Sequence, residues 1–145
     1  MGIDTPHRIE SFDNSNLYGE YPVSAMVCYI DGKPAPKEFR KYHIKTVEGP
    51  NDYASMKEVI YRRYSRMIEE EDVFADLIIV DGGVLQIHAA KEVLSALGVD
   101  VRVLGLVKDD KHRTHALIDE YEQYFPIEAS SELFFLLTRM QDEVH

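Results

Sequence analysis

The chain has 145 residues, 45% of them hydrophobic, a single cysteine and a formal net charge of −10. That length predicts one domain with a core of its own, needing neither disulfides nor a structural metal, and the composition excludes a disordered chain. The acidic total argues against a uniformly basic nucleic-acid surface, although basic residues gather at 37–45, at Arg62, Arg63 and Arg66, and at 108–115.

Read alone, those clusters are first of all solvated faces. Cys28 lies inside the apolar run Val23 to Ile30 and reads as a buried thiol in a reducing compartment. With no signal peptide and no long apolar span, the expectation is a soluble, cytoplasmic protein without a membrane partner, monomeric as this piece.

In chain order, the first strand is expected over His7 to Phe12, just ahead of the turn-rich Asp13-Asn14-Ser15-Asn16. Val23 to Ile30 is a second strand, rich in β-branched and apolar residues, and Asp31-Gly32 behind it is a hairpin signal. The return strand is placed at Glu38 to Lys45; Phe39 is out of phase with Tyr42 and Ile44, which predicts a bulge or a late start. Gly49-Pro50 and a capping Asn51 or Asp52 introduce a helix running to about Glu70, with Tyr53, Met56, Ile60, Tyr64 and Met67 as its apolar stripe.

Leu77 to Val80 is a continuous apolar run, suited to a central strand covered on both faces. A helix over Leu85 to Leu97 stops at Gly98, and a buried strand follows over Val101 to Val107. Lys108 to Leu117 reads as an exposed charged loop, and Ser130 as the cap of a last helix carrying Leu133, Leu136, Leu137, Met140 and Val144 inward. The simplest closure is an α/β fold: a five-stranded mixed sheet, three antiparallel strands and then parallel ones, flanked by helices.

Two aspartates end apolar strands: Asp13 after Arg8-Ile9-Glu10-Ser11-Phe12, and Asp81 after Leu77-Ile78-Ile79-Val80. Strand ends form the rim where open α/β sheets do chemistry, and two carboxylates at one point can hold a hard divalent cation. Alternatively each is an ordinary turn aspartate. Gly82-Gly83 allows close backbone approach and leads into a helix N-terminus, which favours anions. Lys108, at the end of the late strand, is placed to hold a phosphate or orient a water, or is a solvated loop lysine.

Arg62 and Arg63 are candidates for phosphate contact, against the alternative of pairing with Glu58, Glu69 or Glu70 along the helix. Tyr18, Tyr21 and Tyr42 could stack on bases or pack in the core. His145, the last residue, reads on physical grounds as a frayed terminus.

Several stretches together resemble one family: RIESFDNSN at 8–16, IKTVEGPNDYASMKEVIYRRY at 44–64, LIIVDGG at 77–83, GLVKDDKHR at 105–113 and RMQDEVH at 139–145. The chain resembles the endonuclease domain of UvrC, the nuclease subunit of bacterial nucleotide excision repair. The resemblance implies an RNase H-like fold and a metal-dependent DNA endonuclease that nicks damaged DNA on the 5′ side of a lesion, with UvrB and the excinuclease complex as partners. It implies an Asp13–Asp81–His145 catalytic set holding Mg2+ or Mn2+, with Lys108, Lys111 and Arg113 joining Arg62 and Arg63 as candidate phosphate contacts.

Histidine suits manganese somewhat better than magnesium. The family commonly follows VDGG with Lys-Gly-Gln, where this chain has Val84-Leu85-Gln86. A single domain spanning 1–145, excised from a longer chain, is the expected organisation, with His145 poorly ordered at its end. Two other classes remain open on the residues alone. One is a receiver-like phospho-acceptor, which also uses strand-end aspartates and a late lysine. The other is a non-catalytic module that docks DNA or a protein on the sheet rim.

Overall fold

The computed structural model describes residues 7–15, 23–44, 52–108 and 114–126, and the structural statements below concern these. They form one mixed sheet with two helices. The strands are β1 (Arg8–Ser15), β2 (Val23–Ile30), β3 (Lys33–Pro34), β4 (Arg40–His43), β5 (Leu77–Asp81), β6 (Arg102–Lys108), β7 (Thr114–Ile118) and β8 (Tyr124–Pro126); the helices are α1 (Asp52–Glu69) and α2 (Val84–Leu97). The sheet has eight strands in the order β3-β2-β1-β5-β6-β7-β8, with β4 also pairing β2.

β1 pairs antiparallel with β2 and parallel with β5, and β5 pairs parallel with β6. A receiver alternates strand and helix from its start, so the early antiparallel hairpin removes that reading. Asp31 and Gly32 both have positive φ (52° and 78°), the pattern of a tight hairpin turn whose twist matches its strands.

The expected return strand starts late, as its phase suggested. Pro34 and Pro36 cannot donate to a ladder, so pairing stops after β3, a short 3-10 turn covers Pro36–Glu38, and β4 resumes at Arg40.

Five strands were expected, and the mixed parallel and antiparallel pattern is present, extended by β3, β7 and β8. The stretch read as a charged loop up to Leu117 instead enters β7 at Thr114, where Ala116, Leu117 and Ile118 are buried. Asp119 turns the chain back into β8 by accepting the N–H groups of Tyr121 and Gln123, each at 2.9 Å. The last expected helix, from Ser130, lies outside the described residues.

Two apolar layers sandwich the sheet. Met56, Val59, Ile60, Tyr64 and Met67 of α1 join Ile87, Ala90, Val93 and Leu94 of α2 over Phe12, Met26, Ile78, Val80, Val103 and Ile118. Ile9, Val27, Tyr29, Leu77, Ile79, Leu104, Leu106 and Leu117 form the layer on the opposite face. Successive strand residues point to opposite faces, so Leu77-Ile78-Ile79-Val80 feeds both layers, which is why every residue of that run is apolar. Among the described residues, no helix is long and apolar enough to cross a membrane.

Candidate active site

The register of β1 on β5 sets the site. Ile9 lies beside Leu77 and Phe12 beside Val80, so the next residues, Asp13 and Asp81, are neighbours across one strand spacing, ~4.8 Å between chains. Phe12 and Val80 belong to the layer under the helices. Alternation therefore turns Asp13 and Asp81 to the opposite face, the side of Ile9, Leu77 and Ile79. Asp13 is only 7% exposed, hemmed by β2, where it pairs with Ala25 and its carbonyl accepts the Ser24 hydroxyl at 3.2 Å. Asp81 is less buried and pairs with Leu106 of β6.

Two ionisable oxygen donors on adjacent parallel strands fit a hard divalent cation. Among the described residues, no cluster of three His, Cys, Asp or Glu side chains forms a complete ligand set. His145, the third member that the resemblance implies, lies outside them, as do Lys111 and Arg113. Lys108 is the last residue of β6, at the same end of the parallel strands as Asp13 and Asp81 and two residues past the partner of Asp81.

The turn after Asp81 depends on glycine. Gly82 has φ 142°, and a Cβ there would meet the Gln86 side chain at 2.5 Å. Its carbonyl oxygen lies against Gly105 of β6. A Cβ on Gly105 would collide with that oxygen and sit 3.0 Å from Ile118 and 3.1 Å from Ile87. Gly83 then caps α2 without a side chain of its own. Beside this turn opens a cleft of about 450 Å³, lined by Asp81, Gly82, Gly83, Val84, Leu106, Val107, Ile118, Glu122 and Tyr124. Glu122 and Tyr124 were not singled out from sequence, because their acidic surroundings hid the hairpin that carries them.

Arg62 and Arg63 are not brought to the carboxylate face. Both lie on α1, across the sheet, and both are engaged. Arg62 donates to the His43 carbonyl at 2.8 Å, pairs with Glu58 at 3.3 Å and sits over the Tyr42 ring at 5.3 Å, so Tyr42 too is in use. Arg63, 7% exposed, pairs with Glu10 of β1, which is fully buried. Glu10 accepts from Arg63 at 3.0 Å, from Arg8 at 3.1 Å and from the Tyr64 hydroxyl at 3.1 Å.

Burial opposes the Arg63 charge, yet Glu10 holds the guanidinium firmly protonated, with its pKa raised. Burial, reinforced by Glu10, drives the Tyr64 hydroxyl well above its ordinary value. This cluster is structural: it neutralises a carboxylate under the helices.

The model of the family described as the UvrC RNase H endonuclease domain matches residues 1–145. Among solved structures, the chain is similar to Endonuclease V of Ciona intestinalis in complex with a 23mer DNA containing an inosine followed by a ribo-adenosine. The TM-score is 0.50 and the identity 16%, covering 72% of this chain and 46% of that one. A second Ciona intestinalis Endonuclease V complex, with a 24mer DNA, matches at TM-score 0.50 and 13% identity, covering 95% of this chain and 57% of that one. The chain thus spans about half the length of these structures, and at such identities the likeness is one of fold, RNase H-like. The family match runs from the first residue to the last, and on it the chain belongs to the UvrC RNase H endonuclease domains, a nuclease family.

Proposed function

We propose that this domain is a metal-dependent DNA endonuclease of nucleotide excision repair, hydrolysing a phosphodiester on the 5′ side of a lesion. Asp13 and Asp81 hold the cation, Mg2+ or Mn2+, with His145 as third member. The observation that carries this reading is the β1–β5 register, which makes Asp13 and Asp81 same-face neighbours at one rim. When bound, the metal polarises the phosphoryl oxygen and lowers the pKa of a water.

The protein's own part is to fix geometry. Asp13 pairs with Ala25 of β2, and the residue before it pairs with Val80 of β5, which fixes the backbone that carries its carboxylate. Asp81 sits where β5 gives way to Gly82-Gly83, and the small residues there let a phosphate backbone approach. His145 orients water or accepts its proton. Lys108, the last residue of β6, holds DNA phosphate together with Lys111 and Arg113. Arg62 and Arg63 are omitted from that path, because Glu58 and Glu10 engage their guanidinium groups.

Damaged DNA is the substrate and UvrB a partner within the excinuclease complex, in the cytoplasm, with 1–145 acting as one domain. The test is incision of a lesion-bearing duplex by the full-length protein with its partners. Asp13→Asn and Asp81→Asn should each lower the rate at least about a hundredfold and abolish Mn2+ binding by calorimetry, while leaving the circular dichroism unchanged. Normal incision by either variant refutes the assignment.

A further inference from the structure

Beyond the Gly82-Gly83 turn, the cleft beside Asp81 has a lining ill suited to phosphate. Apart from Asp81 and the two glycines, its lining is Val84, Leu106, Val107 and Ile118, with Glu122 and Tyr124 of the β7–β8 hairpin. A carboxylate repels phosphate, whereas an apolar wall with one acceptor and one open aromatic ring matches a nucleobase. A base has a flat apolar face and an edge that carries amino donors. Tyr124 is 61% exposed despite lining the cleft, so its ring offers a free face.

Registry ties this wall to the rim. Val80 pairs with Gly105, Gly105 with Ile118, and Ile118 with Tyr124. Tyr124 therefore lies three strand spacings from Val80, roughly 14 Å, on the helix-side face that Val80 and Ile118 share, so only a strand that rounds the rim from the Asp13–Asp81 face reaches it. The hairpin is anchored on α2, where Lys91 pairs with Glu120 at 3.9 Å and the His88 ring meets the Glu120 carbonyl at 3.4 Å. Its position relative to Asp81 is thereby set by the same helix that follows Gly83.

We infer that this cleft receives one unstacked base of the cut strand, one or two nucleotides from the scissile phosphate. Tyr124 stacks on the base face and Glu122 accepts from an exocyclic amino group. The inference rests on the proposed endonuclease reading and deepens it: the substrate is a strand distorted enough to release a base beside the cut.

The test uses the full-length protein with its partners and a series of lesion-bearing duplexes. In each, one nucleotide within three of the cut is replaced by a tetrahydrofuran abasic residue. Wild-type incision should fall at least about fivefold when the abasic residue occupies one particular position. Tyr124→Leu should fall by a similar factor on the intact duplex and lose no more at that position, while Tyr124→Phe, which keeps the ring, recovers most of the rate. An abasic penalty equally large in wild type and Tyr124→Leu, or no effect of Tyr124→Leu at all, overturns the inference. Loss of incision in Asp81→Asn alongside such a result means that only the base pocket is wrong. Normal incision in Asp81→Asn means that the endonuclease site itself is wrong.

Discussion

Replacing Arg63 with methionine separates a structural arginine from a DNA-contacting one. Glu10 is fully buried and Arg63 only 7% exposed, so Arg63→Met strands a carboxylate that water cannot reach. Breaking a buried ion pair from one side costs about 3–5 kcal/mol. Arg8 at 3.1 Å and Tyr64 at 3.1 Å still serve Glu10, which points to the lower end, about 3 kcal/mol. For a chain of this size that corresponds to a fall of roughly 6–12 °C in Tm.

The double variant Glu10→Gln/Arg63→Met removes the stranded charge along with its partner, so it should recover part of the loss. A coupling energy of about 1–3 kcal/mol is expected from the cycle. Urea unfolding of the four proteins measures it, and salt-dependent DNA binding by the full-length protein completes the assay. A stable Arg63→Met protein with weakened DNA binding and a shallower salt dependence would refute the structural reading and restore Arg63 as a phosphate contact.

Gly105→Ala should destabilise the domain by about 1–3 kcal/mol, because the added methyl displaces the Gly82 carbonyl, Ile118 or Ile87. Its incision defect should exceed that of an equally destabilised core variant, since Gly82 follows Asp81; equal defects would detach this turn from activity. Burial pushes the Cys28 thiol up from 9.0 to about 11. Above pH 9 the unfolded chain therefore releases this proton before the folded one. Stability contributed by the neutral thiol is complete below pH 9 and is lost as pH rises through 11, by about 3 kcal/mol. Cys28→Ala should show a correspondingly shallower alkaline loss in unfolding titrations, and an unchanged slope would contradict the burial effect. Alkylation of Cys28 by iodoacetamide at pH 8 should be negligible in the native protein and prompt in urea.

Much of the fold was legible because its strongest patterns are local. β2 occupies Val23–Ile30 as expected, and α1 ends within a residue of its expected limit. Met56, Ile60, Tyr64 and Met67 are all buried along one stripe, as spacing required, and Tyr53 at the first turn packs half-buried against the same core while donating its hydroxyl to Glu92 at 2.6 Å. β7 and β8 were illegible for a physical reason. Each is short and flanked by charged residues, and the pairing of β7 to β6 and of β8 to β7 comes from tertiary contact rather than periodicity. Arg62–Glu58 and Arg66–Glu70 pair at the helical spacing that sequence alone allowed, but the partner of Arg63 is 53 residues away and no local rule reaches it.

β1 makes the division of labour plain. Its acidic residues Glu10 and Asp13 stand three positions apart, and a strand alternates every residue, so they must face opposite sides of the sheet. Glu10 shares the parity of Phe12 and enters the layer beneath α1, where an arginine from that helix can neutralise it. Asp13 has the parity of Ile9 and joins Asp81 on the side α1 does not cover.

The same parity explains why the basic cluster on α1 is a poor source of phosphate contacts for a site on the other face. Lys108, the last residue of β6, lies at the same rim as the two aspartates. Counting charges along the chain merges these two carboxylates into one acidic total. Assigning each to a face separates the one that Arg63 neutralises beneath α1 from the one that the proposed function gives to a cation.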